Sequence, residues 1–399
     1  MKNLKKIAFL SILFTLLFSF SASTIAQEAE GYIFTDQKVL KTTSVKDQYR
    51  SGTCWSFSGL SFFESELLRL GKPEVNLSEM FVVRHCYSEK AQKYVRLHGS
   101  LNFGGGGAFV DVQNTLKNIG IVPEEVFKGL AYGTDKHVHG EFDAVLKGYI
   151  DAVLENSDKT LSTAWHSGFD GILDAYLGVI PENFSYNGKQ YTAQSFAKEL
   201  GLNMDDYIHV TSFTHHPFYK PFILEVPDNW NWGQVYNLPL DEMIQVIDNA
   251  LDKGYTVAWA SDVSEKGFGY SKGVAVVPEV DFSEMNGLEQ AKWELMPQRD
   301  RDAIQFALNA PGKEKVITQE IRQAAFDNYE TTDDHGMHII GWATDQNGTK
   351  YYKVKNSWNV GNVYEGYFYV SVPFVKYKTM SLMIHKDAVP NAIRQKCGF

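Results

Sequence analysis

Helical periodicity fills the front of this chain and short alternating strands fill its last quarter, an order that few folds can accommodate. Apolar positions 55, 57, 60, 63, 67 and 68 recur at helical spacing, and Gly71-Lys72-Pro73 ends the run. A second helix is predicted over about 77–95, opened by Asn76 or Ser78, and a third over 109–118, closed by Gly120. Between them lies Asn102-Phe-Gly-Gly-Gly-Gly107, a loop that cannot be regular structure. Residues 140–205 read as mainly helical and amphipathic, 211–240 as a stretch of aromatics, histidines and prolines, and 240–251 as helix again. Residues 255–260 read as a buried strand. Residues 337–343, 350–355 and 365–372 then form aromatic-rich strands, with a tight turn at Asp345-Gln-Asn-Gly348. Without regular βαβ alternation, this order predicts an α+β fold of two lobes with an antiparallel sheet.

The 399 residues are 44% hydrophobic and 14% aromatic, enough for a large core without a disulfide or metal staple. A net charge of −10 argues against a nucleic-acid partner, because a polyanion is repelled at long range. Lys2, Lys5 and Lys6 precede an apolar run over 7–20 and a small-residue stretch ending at Ala26. That pattern predicts a signal peptide over 1–26, with export to the periplasm or outside the cell and no stable membrane anchor. Its removal leaves 35 basic residues (38 minus three lysines) against 48 acidic ones, a charge of −13. The cysteines are Cys54, Cys86 and Cys397. An odd count predicts at least one free thiol and leaves a Cys86–Cys397 pair open.

Cys54 sits where a thiol would be most reactive. It falls in the first turn of the first helix, where the dipole and unpaired N–H groups favour a thiolate. In Gln48-Tyr-Arg-Ser-Gly-Thr-Cys54, the Gln48 amide can fold back toward a developing oxyanion beside the Cys54 N–H. Asp334-His335-Gly336 opens a buried strand, so His335 can lie against a nucleophile on the other lobe, while alternation sends His338 to the opposite face. In Val354-Lys-Asn-Ser-Trp358, Asn356 can hold the imidazole tautomer and Trp358 can shield that bond from water. Cys, His and Asn in this order point to nucleophilic attack on an acyl carbon. His137, His139, His215 and His216 lack a Cys, Asp or Glu set at ligand spacing, so they read as solvated loop histidines, with no metal or cofactor expected.

These strings resemble the papain-like cysteine peptidases, in the branch of bleomycin hydrolase and bacterial aminopeptidase C. Ser51-Gly-Thr-Cys54-Trp55 lacks the structural cysteine that many papain relatives carry three residues before the nucleophile, and Gly104 stands where its partner would be. Cys54 and His335 are 281 residues apart, well beyond the roughly 130–150 of a simple papain-like domain, and the branch carries long insertions there. Val257-Ala-Trp-Ala-Ser-Asp262 and the run from Phe326 to Met337 are similar to its strings. The resemblance implies a papain-like peptidase over 27–399. It comprises a helical lobe over about 35–130, a large mainly helical insertion over about 131–250, a β-rich lobe over about 251–385 and a tail over 386–399. It also implies peptide substrates, and that Gly106 and Gly107 offer their backbone to an extended substrate.

An aminopeptidase releasing N-terminal residues is the expected activity. In that branch a C-terminal arm lies in the cleft and receives the substrate's free amine. The basic tail Arg394-Gln-Lys-Cys-Gly-Phe399 departs from that pattern, so an endopeptidase with an open cleft is the alternative. A non-catalytic secreted binding protein on the same scaffold is the alternative of another class, opposed by the intact Gln48, Cys54, His335 and Asn356 set. A homo-oligomer, the habit of the branch, stays open.

Overall fold

The computed structural model describes residues 31–399, and the signal peptide expected over 1–26 lies outside the described residues. The first lobe is built from α1 (Cys54–Arg69), α2 (Glu79–Arg96) and α3 (Phe109–Asn118), within a residue or two of the sequence reading. Ser78 opens α2 by accepting from the Phe81 N–H, which satisfies one orphan donor of the first turn. The helices α4 (Gly140–Leu154), α5 (Trp165–Leu177) and α6 (Ala193–Leu200) follow, the last preceded by a hairpin of β2 (Phe184–Tyr186) and β3 (Lys189–Tyr191). Phe142, Leu146, Phe169, Leu173 and Phe196 join Leu60, Phe63 and Phe81 in one continuous core. The added helices therefore enlarge the first lobe instead of forming a core of their own.

The second lobe is a sheet of eleven strands. Its strands are β1 (Thr35–Val39), β4 (Tyr207–Thr211), β5 (Pro221–Ile223), β6 (Gln234–Asn237), β7 (Val257–Ser261), β8 (Phe268–Gly269) and β9 (Val274–Ala275), followed by β10 (His335–Thr344), β11 (Lys350–Lys355), β12 (Tyr367–Ser371) and β13 (Thr379–His385). They run in the order β5-β6-β4-β13-β7-β10-β11-β12-β9-β8, with β1 also paired to β10. Most pairs are antiparallel as expected, but β12–β9 and β4–β6 are parallel. The strands within 207–237 were not legible in the sequence because each is five residues or fewer and is set among loops. β4 finds its partner in the distant β13, pairing Val210 with Leu382, and β6 and β5 add outside it.

Alternation decides which face meets which layer. Val257, Trp259, Met337, Ile339 and Leu382 face a layer of α7 (Leu240–Asp252), α10 (Gln319–Asp327) and α11 (Val372–Lys378). Ala258, Met383 and His338 face the other way, toward α1 and its core. The exposed helices α8 (Gly287–Leu295) and α9 (Gln298–Gln305) lie between β9 and α10, and α12 (Asn391–Cys397) closes the chain. No helix among the described residues is long and apolar enough to cross a membrane.

Buried polar groups lace the layers together. Lys355 of β11 donates to Ser61 of α1 at 2.8 Å and to Thr43, which in turn donates to Glu64 at 2.6 Å. Arg322 of α10 is fully buried and spends its guanidinium on the carbonyls of Ser212, Lys376, Tyr377 and Thr379. It thereby ties the segment after β4 to the start of β13. Replacing a buried cation that serves several carbonyls leaves them unpaired, so Arg322→Met should cost about 3 kcal/mol or more of stability, read by denaturant unfolding. A variant as stable as the parent would show that these carbonyls rehydrate at no cost.

Candidate active site

The site forms where the first turn of α1 meets the first residues of β10. Thr53 gives α1 no side-chain cap, so the N–H groups of its opening turn are not consumed by one. Those of Trp55 and of Gly336, on β10, are directed at the Cys54 sulfur. Gly336 permits that approach: a Cβ there would stand 2.7 Å from the Ser58 hydroxyl oxygen and 3.2 Å from the Trp55 Cα. His335 precedes it and lines the same cleft as Cys54.

His335 is held on two sides. Its Nε2 lies 2.8 Å from Asn356 Oδ1, and the Trp358 ring stacks on the imidazole at 4.4 Å with an angle of 30°. The same Asn356 oxygen accepts from the Ser357 N–H at 2.8 Å, which fixes the side chain. With Nε2 as donor to Asn356, Nδ1 is the nitrogen left to accept a proton. The bond lies in the interior, since His335 and Asn356 are both buried.

Burial sets the electrostatics. It pushes the Cys54 thiol up to about 12, against the Gly336 and Trp55 N–H groups that favour the thiolate and with Asp333 and Asp228 that oppose it. Burial also lowers the His335 imidazole to about 4, against the pull of Asn356. Neither charge is supported alone. Proton transfer from the thiol to the imidazole creates both at once, and their mutual attraction in a low-dielectric site offsets what burial costs each. On these electrostatics, thiolate chemistry at Cys54 is expected to require His335. With His335→Ala, alkylation of Cys54 by iodoacetamide near pH 6 should slow by about a hundredfold or more, followed by peptide mass mapping. An unchanged rate would mean that the helix terminus alone generates the thiolate.

Gln48 is buried, its Nε2 donating to the Ser51 carbonyl at 2.8 Å and its Oε1 accepting from the Ser357 hydroxyl at 2.6 Å. It thus ties the Cys54 loop to the Asn356 strand end without lining the cleft itself, and one of its two amide hydrogens is already used. Gly107 lines the cleft with Cys54, and Gly106 precedes it in the glycine run. Trp55 Nε1 donates to the Gly105 carbonyl at 2.9 Å and Lys90 Nζ to the Gly104 carbonyl at 2.9 Å, so this glycine run is braced. A Cβ on Gly107 would meet the Trp55 ring at 2.7 Å, and one on Gly106 would meet the Asp228 carboxylate at 2.1 Å.

Asp228 belongs to the loop between β5 and β6, and no sequence signal marked it. With Leu224 and Val226 it walls the cleft that Cys54 and His335 line. Asp333 and Asp334 complete the acidic rim. Their adjacency to His335 was visible in the sequence, but nothing there showed that they would face Asp228. Burial, with Asp228 and Asp334 nearby, raises the Asp333 carboxyl to about 7. Burial also raises Asp228, although Lys90 and a 2.9 Å bond from Asn102 favour its charged form.

Other expectations need correction. His139 is fully buried with both ring nitrogens unpaired and His137 is partly buried with its Nδ1 unpaired, because aromatic packing on Tyr132, Phe142 and Phe57 encloses them; they are not solvated histidines. His215 and His216 do have an acidic neighbour, Glu225, which the fold of the β5 segment brings back to them. Cys86 and Cys397 are unpaired: Cys86 lies in the core of the helical lobe, whereas Cys397 packs against the far side of the sheet. His338 is a core histidine on the α1 side, 2.9 Å from Ser61 Oγ. Residues 386–399 stay away from the cleft; Phe399 packs on Tyr236 and Lys396 pairs with Glu242.

The chain is similar to known proteins over most of its length. Residues 302–382, which include His335 and Asn356, match the family model described as papain family cysteine protease. Aminopeptidase C of Lactobacillus delbrueckii subsp. lactis is 23% identical over 422 residues, covering 94% of this chain and 87% of its own. The crystal structure of PepW from Lactobacillus rhamnosis HN001 superposes with a TM-score of 0.67 at 18% identity, over 91% of this chain and 84% of that one. The expected papain-like α+β fold is therefore the one observed.

Proposed function

We propose that this chain, which resembles aminopeptidase C over 94% of its length and matches the papain family cysteine protease model over residues 302–382, is an exported papain-like aminopeptidase working through Cys54, His335 and Asn356. One observation carries the aminopeptidase reading: Asp228 lies directly over Gly106. The backbone that would pair with an extended substrate is capped there, so a chain running on past the cleft has no path. An acidic cap also suits what must end there, a free α-ammonium group. Asp228 and Asp333 take the part that a C-terminal arm plays in the resembled branch.

The chemistry follows from the parts. The Cys54 thiolate attacks the carbonyl of the first peptide bond while His335 carries the proton. The oxyanion is met by the Cys54 N–H and by the free amide hydrogen of Gln48 once that side chain turns from Ser51. His335 protonates the departing amine, and water, deprotonated by the same imidazole, releases the acyl group. Asn356 keeps Nδ1 toward the sulfur throughout. Export rests on the amino-terminal pattern ending at Ala26.

A peptide amide with a free N-terminus should be hydrolysed, and its acetylated counterpart should be inert. Asp228→Ala should raise KM for the free form by about tenfold, the scale of one lost charge contact, and admit some of the blocked form. Equal turnover of both forms by the parent would favour the endopeptidase reading. With the Asp333 carboxyl raised to about 7, it is protonated and uncharged on the acid side. KM for the free-amine substrate should therefore climb as pH falls through about 7, and Asp333→Asn should flatten that limb. A parent KM constant from pH 6 to about pH 8 would remove Asp333 from the amine site.

A further inference from the structure

On the outer side of the same cleft wall, two consecutive histidines meet a glutamate from the far side of the short strand β5. His215 and His216 sit on the loop between β4 and β5, and Glu225 follows β5. One carboxylate serves both rings: Oε2 lies 3.2 Å from His215 Nε2 and Oε1 lies 2.7 Å from His216 Nε2. One ligand atom from each residue falls within 4.8 Å of the others. That spacing is short enough for a single small cation to bridge them.

The rings are oriented before any ion arrives. His215 stacks on Phe326 at 5.5 Å and 9°, and His216 stacks on Phe222 at 4.2 Å and 24°. Behind His215, the Gln323 amide lies 3.1–3.5 Å from Nδ1 through its nitrogen and oxygen. Its oxygen, at 3.5 Å and also accepting from the Thr214 N–H, is the atom that would take Nδ1–H when Nε2 binds a metal, the outer contact that fixes a ligand histidine in its tautomer. Gln323 is itself held, donating to Asp327 at 2.8 Å. The rings and the carboxylate are partly open to solvent, so an ion has a way in.

We propose that His215, His216 and Glu225 bind a divalent cation of the zinc class and thereby fasten the wall of the cleft. Two imidazoles and one carboxylate suit zinc, with a water in the fourth position, and are poor ligands for calcium or magnesium, which take oxygen. The consequence lies along the chain. Phe222 and Leu224 are buried against Val235 and Met380, and Leu224 and Val226 line the cleft on the other side of this strip. An ion joining the 215–216 loop to Glu225 restrains the segment that leads directly to Asp228.

The test uses the untagged full chain carrying Cys54→Ser, so that no nucleophilic thiol competes for the metal, titrated with zinc chloride by calorimetry in a non-coordinating buffer. The expected result is one ion per chain and a higher unfolding midpoint. His216→Ala and Glu225→Gln should each weaken binding by about tenfold or more, and Gln323→Ala by about tenfold. His139→Ala, whose ring is away from the cluster, should bind as the parent does. Metal-free circular dichroism and melting establish that the variants are folded. No binding at about 100 μM zinc, or equal affinity in the folded His216→Ala and Glu225→Gln variants, would overturn the proposal.

Discussion

The close approach of β10 to the first turn of α1 is the contact on which the site depends. A helix terminus can lower a thiol's pKa, and a strand can present an imidazole, but neither produces a nucleophile until the two touch. Gly336 sets that distance, because any side chain there would strike Ser58 or the Trp55 backbone. The consequences spread outward from this one residue. His335 falls beside Cys54, Asn356 comes in on the neighbouring strand, and Ser357 and Gln48 join the strand end to the loop before the helix. The lobes are then pinned behind the site by Lys355, Ser61 and Thr43.

The second constraint is charge in a confined space. The cleft brings Asp228, Asp333 and Asp334 next to a thiol that must itself become negative, which works against the nucleophile while no cation is present. A peptide whose free amine neutralises part of the rim removes that opposition as it binds. Substrate binding and nucleophile activation are thereby coupled through electrostatics, with no need for the backbone to move. In the proposed aminopeptidase, the loop between β5 and β6 that supplies Asp228 would have two roles, blocking the path of a longer chain and recognising its end.

Much of this was legible in the sequence, and the reasons are local. Apolar spacing marked α1, α2, α3 and α7, and period-two alternation marked β10, β11 and β12. Cys54 was exposed as special by its place at a helix start, and His335 and Asn356 by their places on consecutive strands. The failures share a cause, since each depends on contacts distant in sequence. β4 exists because β13 offers it an edge, pairing Val210 with Leu382 172 positions on (382 minus 210), and β6 and β5 add outside it. Asp228 reaches Gly106 across more than a hundred residues, and no periodicity encodes that. His139 looked like a loop histidine because its neighbours in sequence are polar, while those in space are aromatic.

The central claim, a thiol at Cys54 served by His335 in a cleft closed at its amine end, meets its most direct test in covalent trapping. A dipeptide epoxide with a free α-amine and its acetylated twin would each be incubated with the protein, and the adduct located by peptide mass mapping. The account predicts one equivalent of the free-amine reagent on Cys54, none on Cys86 or Cys397, and little reaction of the acetylated one. Labelling of Cys54 at equal rates by both reagents would contradict the closed cleft, and labelling spread over the other cysteines with Cys54 untouched would contradict the nucleophile.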